Sequence, residues 1–248
     1  MEFLRRIFAA IYKTWMFLTL LIPALLFLPL YITFLNSPKL LNAAFKLVRL
    51  HSFLILTCSG IIVRRKYHIP TDKIPSPCIY IANHTSYLDI LSSYMVIPNF
   101  FVFMAKAELD KIPIFNLFFK HMNVLVNRKS KMDSHKAFIK IGEKLDQGFS
   151  VYIFPEGTIS NEGKLKQFKN GAFKLAIDKQ IPIVPIVYRE NWKLLQNGGY
   201  FKSYGRPGVI YADVLEPIYT NGLKDENLLD LRLRIQNLFE ENIKNSKQ

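Results

Sequence analysis

Cysteine is scarce in this sequence and acidic residues are few. Only Cys58 and Cys78 occur, each among apolar neighbours, so neither a disulfide framework nor a zinc site is indicated and a reducing, cytoplasmic environment fits. Asp and Glu number 19 against 33 Lys and Arg, a formal charge of +14 that calls for an acidic partner: nucleic acid, anionic lipid or a phosphorylated substrate. No G-x-S-x-G elbow is present, which removes the serine-nucleophile reading. No internal repeat, low-complexity segment or long linker divides the chain. RNP-like, zinc-finger and helix-turn-helix patterns are missing as well. Half of the residues are hydrophobic, high for a soluble nucleic-acid binder, so the positive charge points to lipid.

What is present is unevenly spread. Residues 1–70 hold nine Lys or Arg against the single acid Glu2, more than half of the excess charge. Residues 14–35, TWMFLTLLIPALLFLPLYITFL, carry no charge over 22 positions, enough to cross a hydrocarbon core of ~30 Å at about 1.5 Å per residue. The run exceeds the apolar part of a signal peptide and no small-residue cleavage site follows it. Pro23 and Pro29 are expected to kink such a helix. Residues 40–63 are apolar with Lys46, Arg49 and His51 on one face, the pattern of a helix lying in an interface. Residues 1–62 therefore read as a helical membrane anchor, either one span with an amphipathic partner or a two-helix wedge in one leaflet. The anchor is expected to be removable, with residues 63–248 forming a separate α/β domain.

In that second region short apolar runs alternate with helix-length segments. Strands are expected at 78–82, 100–105, 123–127, 151–154, 183–188 and 209–215, and helices at 88–96, 114–122, 134–147, 171–180 and 223–243. Such alternation predicts a mixed, mainly parallel sheet flanked by helices, whose ligands bind beyond the carboxyl ends of the strands.

At the first of those ends stands NHTSYLD, residues 83–89. Ser86 and Asp89 form an S-x-x-D capping pattern, in which Asp89 reaches back to a free backbone N–H and does no chemistry. Alternatively the turn brings Asp89 against His84, fixing the tautomer of the imidazole and stabilising its protonated form while the other nitrogen acts as a base. Spacing alone leaves both open. A second strand end supplies Glu156, Gly157 and Thr158, and Lys169, Asn170 and Gly171 mark a helix entry that favours an anion. Lys106 and Arg128 each stand just past a further strand.

Taken in order, NHTSYLD, AKAEL (105–109), VNR (126–128), FPEGT (154–158), FKNGAFKLA (168–176) and IPIVPIV (181–187) resemble the motifs of the glycerolipid acyltransferases over roughly residues 78–190. The resemblance implies transfer of a fatty acyl group from an acyl thioester, on coenzyme A or acyl carrier protein, to the sn-2 hydroxyl of 1-acyl-glycerol-3-phosphate. A lysolipid with another headgroup, such as an amino acid, is the alternative acceptor. By the same resemblance His84 is the general base and Asp89 its partner, while Lys106, Arg128, Glu156, Gly157 and Thr158 bind substrate. It further implies an anchored protein at the cytoplasmic face of the cell membrane, with no cofactor and no metal. Two positions depart from the family pattern: Ile159 stands where arginine is usual, and Met122 or Asn123 where glycine is.

Overall fold

A computed structural model describes residues 2–106, 122–126, 130–160 and 163–245. Three helices come first, α1 (Glu2–Leu26), α2 (Leu28–Leu35) and α3 (Leu41–Cys58). Then follow β1 (Ile61–Tyr67), β2 (Ile79–Ala82), α4 (Leu88–Val96), β3 (Phe101–Lys106) and β4 (Val124–Val126). The chain continues through α5 (Lys131–Asp146), β5 (Ser150–Ile153), α6 (Gly171–Lys179), β6 (Ile183–Tyr188), β7 (Gly208–Val214) and α7 (Leu228–Asn245). The helix expected at 114–122 lies outside the described residues apart from its last position.

The strands make one sheet in the order β1-β7-β6-β2-β5-β3-β4. Neighbours are parallel except β6 and β7, where Val187 faces Asp213 in antiparallel register. The mixed, mainly parallel sheet expected from the alternation is therefore present. Helices cover both faces, and the two faces differ in kind. Alternate strand residues send Tyr80, Phe101, Phe103, Tyr152 and Tyr188 to one side, joined by Phe154 just past β5 and packed with residues of the first three helices. The intervening positions send Ile79, Ile81, Val102, Val151, Ile153 and Ile183 to the other, under α5, α6 and α7. A strand buried on both faces reads as a continuous apolar run, which is why β2, β5 and β6 are visible in the sequence.

Three elements differ from expectation. The charge-free segment is not one straight helix: Pro23 stays inside α1 and the break comes at Phe27, because Pro29 has no N–H to give the carbonyl of Leu25. Phe27 N still donates to Pro23 O (2.8 Å) and Tyr31 N to Phe27 O (2.9 Å), so the result is a tight kink. Residues 61–67, IIVRRKY, are a strand and not the tail of the preceding helix; β1 is an edge strand, and Arg64, Arg65 and Lys66 are exposed there, as suits an edge. The last helix begins at Leu228, after a single 3-10 turn over Asp225–Asn227.

Two helical stretches, Leu4–Leu26 and Pro38–Cys58, are long and apolar enough to cross a membrane. They also belong to the protein core. Tyr12, Met16, Tyr31 and Leu35 share one apolar cluster with Phe45 of α3 and with the aromatic face of the sheet.

Candidate active site

Strands β2 to β6 all run the same way, so their carboxyl ends meet at one edge of the sheet. Asn83 follows β2 there and prolongs its pairing with a side chain: the amide donates to Tyr188 O (2.7 Å) and accepts from Tyr188 N (2.8 Å). An amide group imitates the peptide that another strand residue would present, and it fixes the point at which the chain turns away.

His84 comes next, 5% exposed. Its backbone N–H donates to Glu156 Oε1 (2.7 Å) and its carbonyl accepts from Ser160 N (2.7 Å), so the loop after β5 holds it at both ends of the residue. The ring stacks on Phe154, with 4.0 Å between centroids and 16° between planes. Nδ1 lies 3.1 Å from Asp89 Oδ2. A carboxylate only accepts, so this bond puts the proton on Nδ1 and leaves Nε2 as the basic nitrogen. Among the described residues Nε2 has no hydrogen-bond partner.

Asp89 lies in the first turn of α4, fully buried, and takes four donors. Oδ2 accepts from His84, from Thr85 N (2.6 Å) and from Ser86 N (2.9 Å), while Oδ1 accepts from Asn191 Nδ2 (2.7 Å). The two alternatives left by the spacing therefore coexist in one carboxylate, which closes the turn into α4 and touches the imidazole. Four donors are also what make a buried carboxylate tolerable. Ser86 supports the turn: its hydroxyl accepts from Leu88 N (3.2 Å) and donates to Leu195 O (2.8 Å).

Asn191, 1% exposed, was not singled out from the sequence. It stands three residues past β6, so the strand-end rule that led to His84 reaches it once applied to every parallel strand.

A family profile described as Acyltransferase matches residues 47–189, more than half of the sequence. The chain belongs to the acyltransferase family. Similar proteins include the 1-acyl-sn-glycerol-3-phosphate acyltransferase beta of Homo sapiens, 34% identical over 149 residues, 59% of this chain and 52% of that protein. Another is the 1-acyl-sn-glycerol-3-phosphate acyltransferase of Haemophilus influenzae, 30% identical over 182 residues, 72% of this chain and 73% of that one. The chain thus spans about half the length of the human relative. A solved structure, of the 1-acyl-sn-glycerophosphate acyltransferase PlsC of Thermotoga maritima, matches with a TM-score of 0.77 at 23% identity, over 100% of this chain and 98% of that chain. The two share a fold.

Glu156 is turned inward. Its Oε1 takes His84 N and its Oε2 takes Lys166 N (2.9 Å). Burial pushes its carboxyl up from 4.5 to about 7, opposed by those two N–H groups and reinforced by nearby Asp89. Gly157 follows with φ +73°, a left-handed conformation that suits glycine, and Lys169 Nζ lies 2.8 Å from where a Cβ would be. The absent side chain lets that ammonium lie over the turn. Thr158 is exposed beside it. The carbonyl of Ile159 accepts from Lys166 Nζ (3.1 Å), so a cation reaches this position although the residue is not arginine. Lys106 is the last residue of β3, and Arg128 lies outside the described residues. A cavity of about 130 Å³ opens beside the turn, lined by Met104, Val126, Phe138, Phe154, Gly157 and Lys169 among others. Cys78 is an unsuitable nucleophile, since burial pushes its thiol up to about 12 and keeps it protonated. Among the described residues no three His, Cys, Asp or Glu side chains are grouped to hold a metal ion.

Proposed function

We propose that the chain transfers a fatty acyl group from a thioester donor, acyl-CoA or acyl carrier protein, to the sn-2 hydroxyl of 1-acyl-glycerol-3-phosphate, giving phosphatidic acid. One observation carries the chemistry: His84, at the carboxyl end of β2, is tied through Nδ1 to a buried carboxylate, and among the described residues its Nε2 has no hydrogen-bond partner. A lysolipid hydroxyl has too high a pKa to attack a thioester at neutral pH. Nε2 takes its proton as the oxygen bonds to the thioester carbon, and Asp89 stabilises the imidazolium so formed. The tetrahedral intermediate collapses, the carbon–sulfur bond breaks, and the proton passes to the departing thiolate. Such proton transfer contributes about 10²- to 10⁴-fold in rate. The names of the relatives support the acceptor, and the cations Lys169 and Lys166 beside the Gly157 turn suit its phosphate. Lys106, Arg128 and Thr158 complete the acceptor site in this reading, and Glu156 holds the backbones of His84 and Lys166.

Membrane association follows from α1. Leu4, Ile11, Trp15, Leu18, Ile22 and Leu25 are exposed and fall at three-and-four spacing along one side of the helix. Lys13, at the middle of α1, donates to Tyr200 O (2.9 Å) and to Ser203, in a loop of the catalytic region. A crossing helix would carry that loop into the hydrocarbon centre, where an ammonium and open backbone groups are costly. We infer that α1 lies along one leaflet, on the cytoplasmic face.

The test is an assay of the purified chain with a panel of lysolipids, including an amino-acid-headgroup lysolipid, against both donors, with products identified by mass. Phosphatidic acid is the expected product at the highest kcat/KM. A higher value for an acceptor without a phosphate would overturn the acceptor assignment, and no transfer to any acceptor would overturn the reaction.

A further inference from the structure

Between Asn191 and β7 the chain makes a narrow hairpin that the reaction does not use. Leu195 bridges Gly205 in antiparallel register, Gln196 N donates to Tyr204 O (3.0 Å) and Tyr204 N to Gln196 Oε1 (3.0 Å). Its tip is fastened to α1. The Lys13 ammonium donates to Tyr200 O (2.9 Å) and to both the carbonyl and the hydroxyl (2.7 Å) of Ser203, and the Tyr200 hydroxyl donates to Ala10 O (2.8 Å). On this fixed tip Phe201 is 71% exposed and Tyr200 44%.

Basic residues lie along this hairpin and beside it. Lys202 and Arg206 are exposed, and the Arg5 guanidinium lies 5.8 Å from the Tyr204 ring. Among the described residues no carboxylate pairs with Arg5, Lys202 or Arg206. An aromatic tip on a hairpin whose neighbouring cations lack carboxylate partners is complementary to a surface that is apolar inside and anionic at its boundary. It is also joined to the helix whose exposed stripe meets lipid.

We propose that loop 198–206 is a second membrane contact, inserting Phe201 into the interface of an anionic bilayer while Lys202, Arg206 and Arg5 meet lipid phosphates. The proposal rests on the reading of α1 as an interfacial helix. Its consequence reaches the site, because the segment just before the loop supplies Asn191 to Asp89 and the Leu195 carbonyl to Ser86. Lipid docked at Phe201 therefore holds the mouth of the site at the surface from which the acceptor comes.

The experiment uses the full chain with Cys58→Ser, leaving only the buried Cys78, and a single probe cysteine at Phe201→Cys or Leu4→Cys carrying nitrobenzoxadiazole. Vesicles are phosphatidylcholine alone or mixed with phosphatidylglycerol. Both probes are expected to shift blue on the mixed vesicles, and Lys202→Ala is expected to weaken partition onto them about fivefold while leaving phosphatidylcholine partition unchanged. A response at Leu4 with none at Phe201 overturns the loop contact and leaves the α1 reading intact. Silence at both positions overturns the α1 reading and this proposal with it. A blue shift at Phe201 that needs no vesicles and grows with protein concentration would mark contact between copies of the chain, and the proposal would fail.

Discussion

Asp89→Asn separates the two tasks of this carboxylate. An asparagine presents one oxygen and one NH₂ where the native residue presents two acceptors. With its oxygen placed at Oδ2, it still accepts from Thr85 N, Ser86 N and His84 Nδ1, so the turn into α4 and the ring orientation survive. The NH₂ then faces Asn191 Nδ2 across 2.7 Å, a clash of donors that Asn191 relieves by flipping its own amide and presenting oxygen. The structural loss is the charge component of a few hydrogen bonds, about 1–2 kcal/mol, or a fall of a few degrees in Tm for a chain of this size. The catalytic loss is larger, because the imidazolium no longer has a negative partner, and kcat should drop by about 10²- to 10⁴-fold. Asp89→Ala behaves differently: it leaves Thr85 N, Ser86 N and the Asn191 amide buried without acceptors at about 1–3 kcal/mol each and should destabilise the fold itself. Thermal unfolding and steady-state kinetics on the same preparations decide the matter. If Asp89→Asn keeps more than about a tenth of wild-type turnover with Tm unchanged, Asp89 is a helix cap and the catalytic argument fails.

His84→Ala should lower turnover by at least about 100-fold while the protein still unfolds cooperatively near the wild-type temperature; retention of a tenth of the activity would contradict its role as base. Glu156 titrates with a carboxyl raised from 4.5 to about 7, so its contribution to stability is fully present below pH 4.5 and is lost as pH rises through 7. In Glu156→Gln that titration is gone, and the stability gap between wild type and variant should shrink by on the order of 2–3 kcal/mol from pH 4.5 to pH 8; urea midpoints showing a constant gap would refute the shift. Deleting residues 1–36 takes Tyr12, Met16, Tyr31 and Leu35 out of the core, at about 1.5–3 kcal/mol each against about 5–15 kcal/mol for a whole domain. The remainder should lack a cooperative transition by near-UV circular dichroism, and a truncated protein melting as wild type does would show the anchor to be separable after all.

The parts of the fold that the sequence displayed are those where burial is complete. β2, β5 and β6 stand out as apolar runs because neither face meets water, whereas β1 hides behind three exposed cations at the edge of the sheet. α1 starts at Glu2, well before the charge-free run, and its Lys13 finds partners in a loop far along the chain. Such a bond has no local signature. His84 and Asp89 were legible for the opposite reason, five residues apart at the end of a strand. Asn191 was not, since its link to Asp89 spans 102 positions and exists only through the pairing of β2 with β6. Glu156 was visible as an acid at a strand end, but its partners are two backbone N–H groups, which every sequence position offers alike.

His84 and Asp89 are held from two directions, and both lead back to the first three helices. On one side a run of rings extends from α3 to the imidazole: Phe45 meets Phe101 at 5.2 Å, Phe101 meets Tyr152 at 5.3 Å, Tyr152 meets Phe154 at 5.3 Å, and Phe154 stacks on His84. Aromatic side chains have few rotatable bonds, so a packed series of them moves little. On the other side Asn191 and Leu195 hold Asp89 and Ser86, and the hairpin that follows is fastened to α1 by Lys13. α1, with its exposed apolar stripe, is therefore joined to His84 and Asp89 through packed and hydrogen-bonded contacts. Under the proposed function, the depth and tilt of α1 in the interface set where Nε2 meets an acceptor hydroxyl, so the residues that seat the protein would also orient its chemistry toward the membrane.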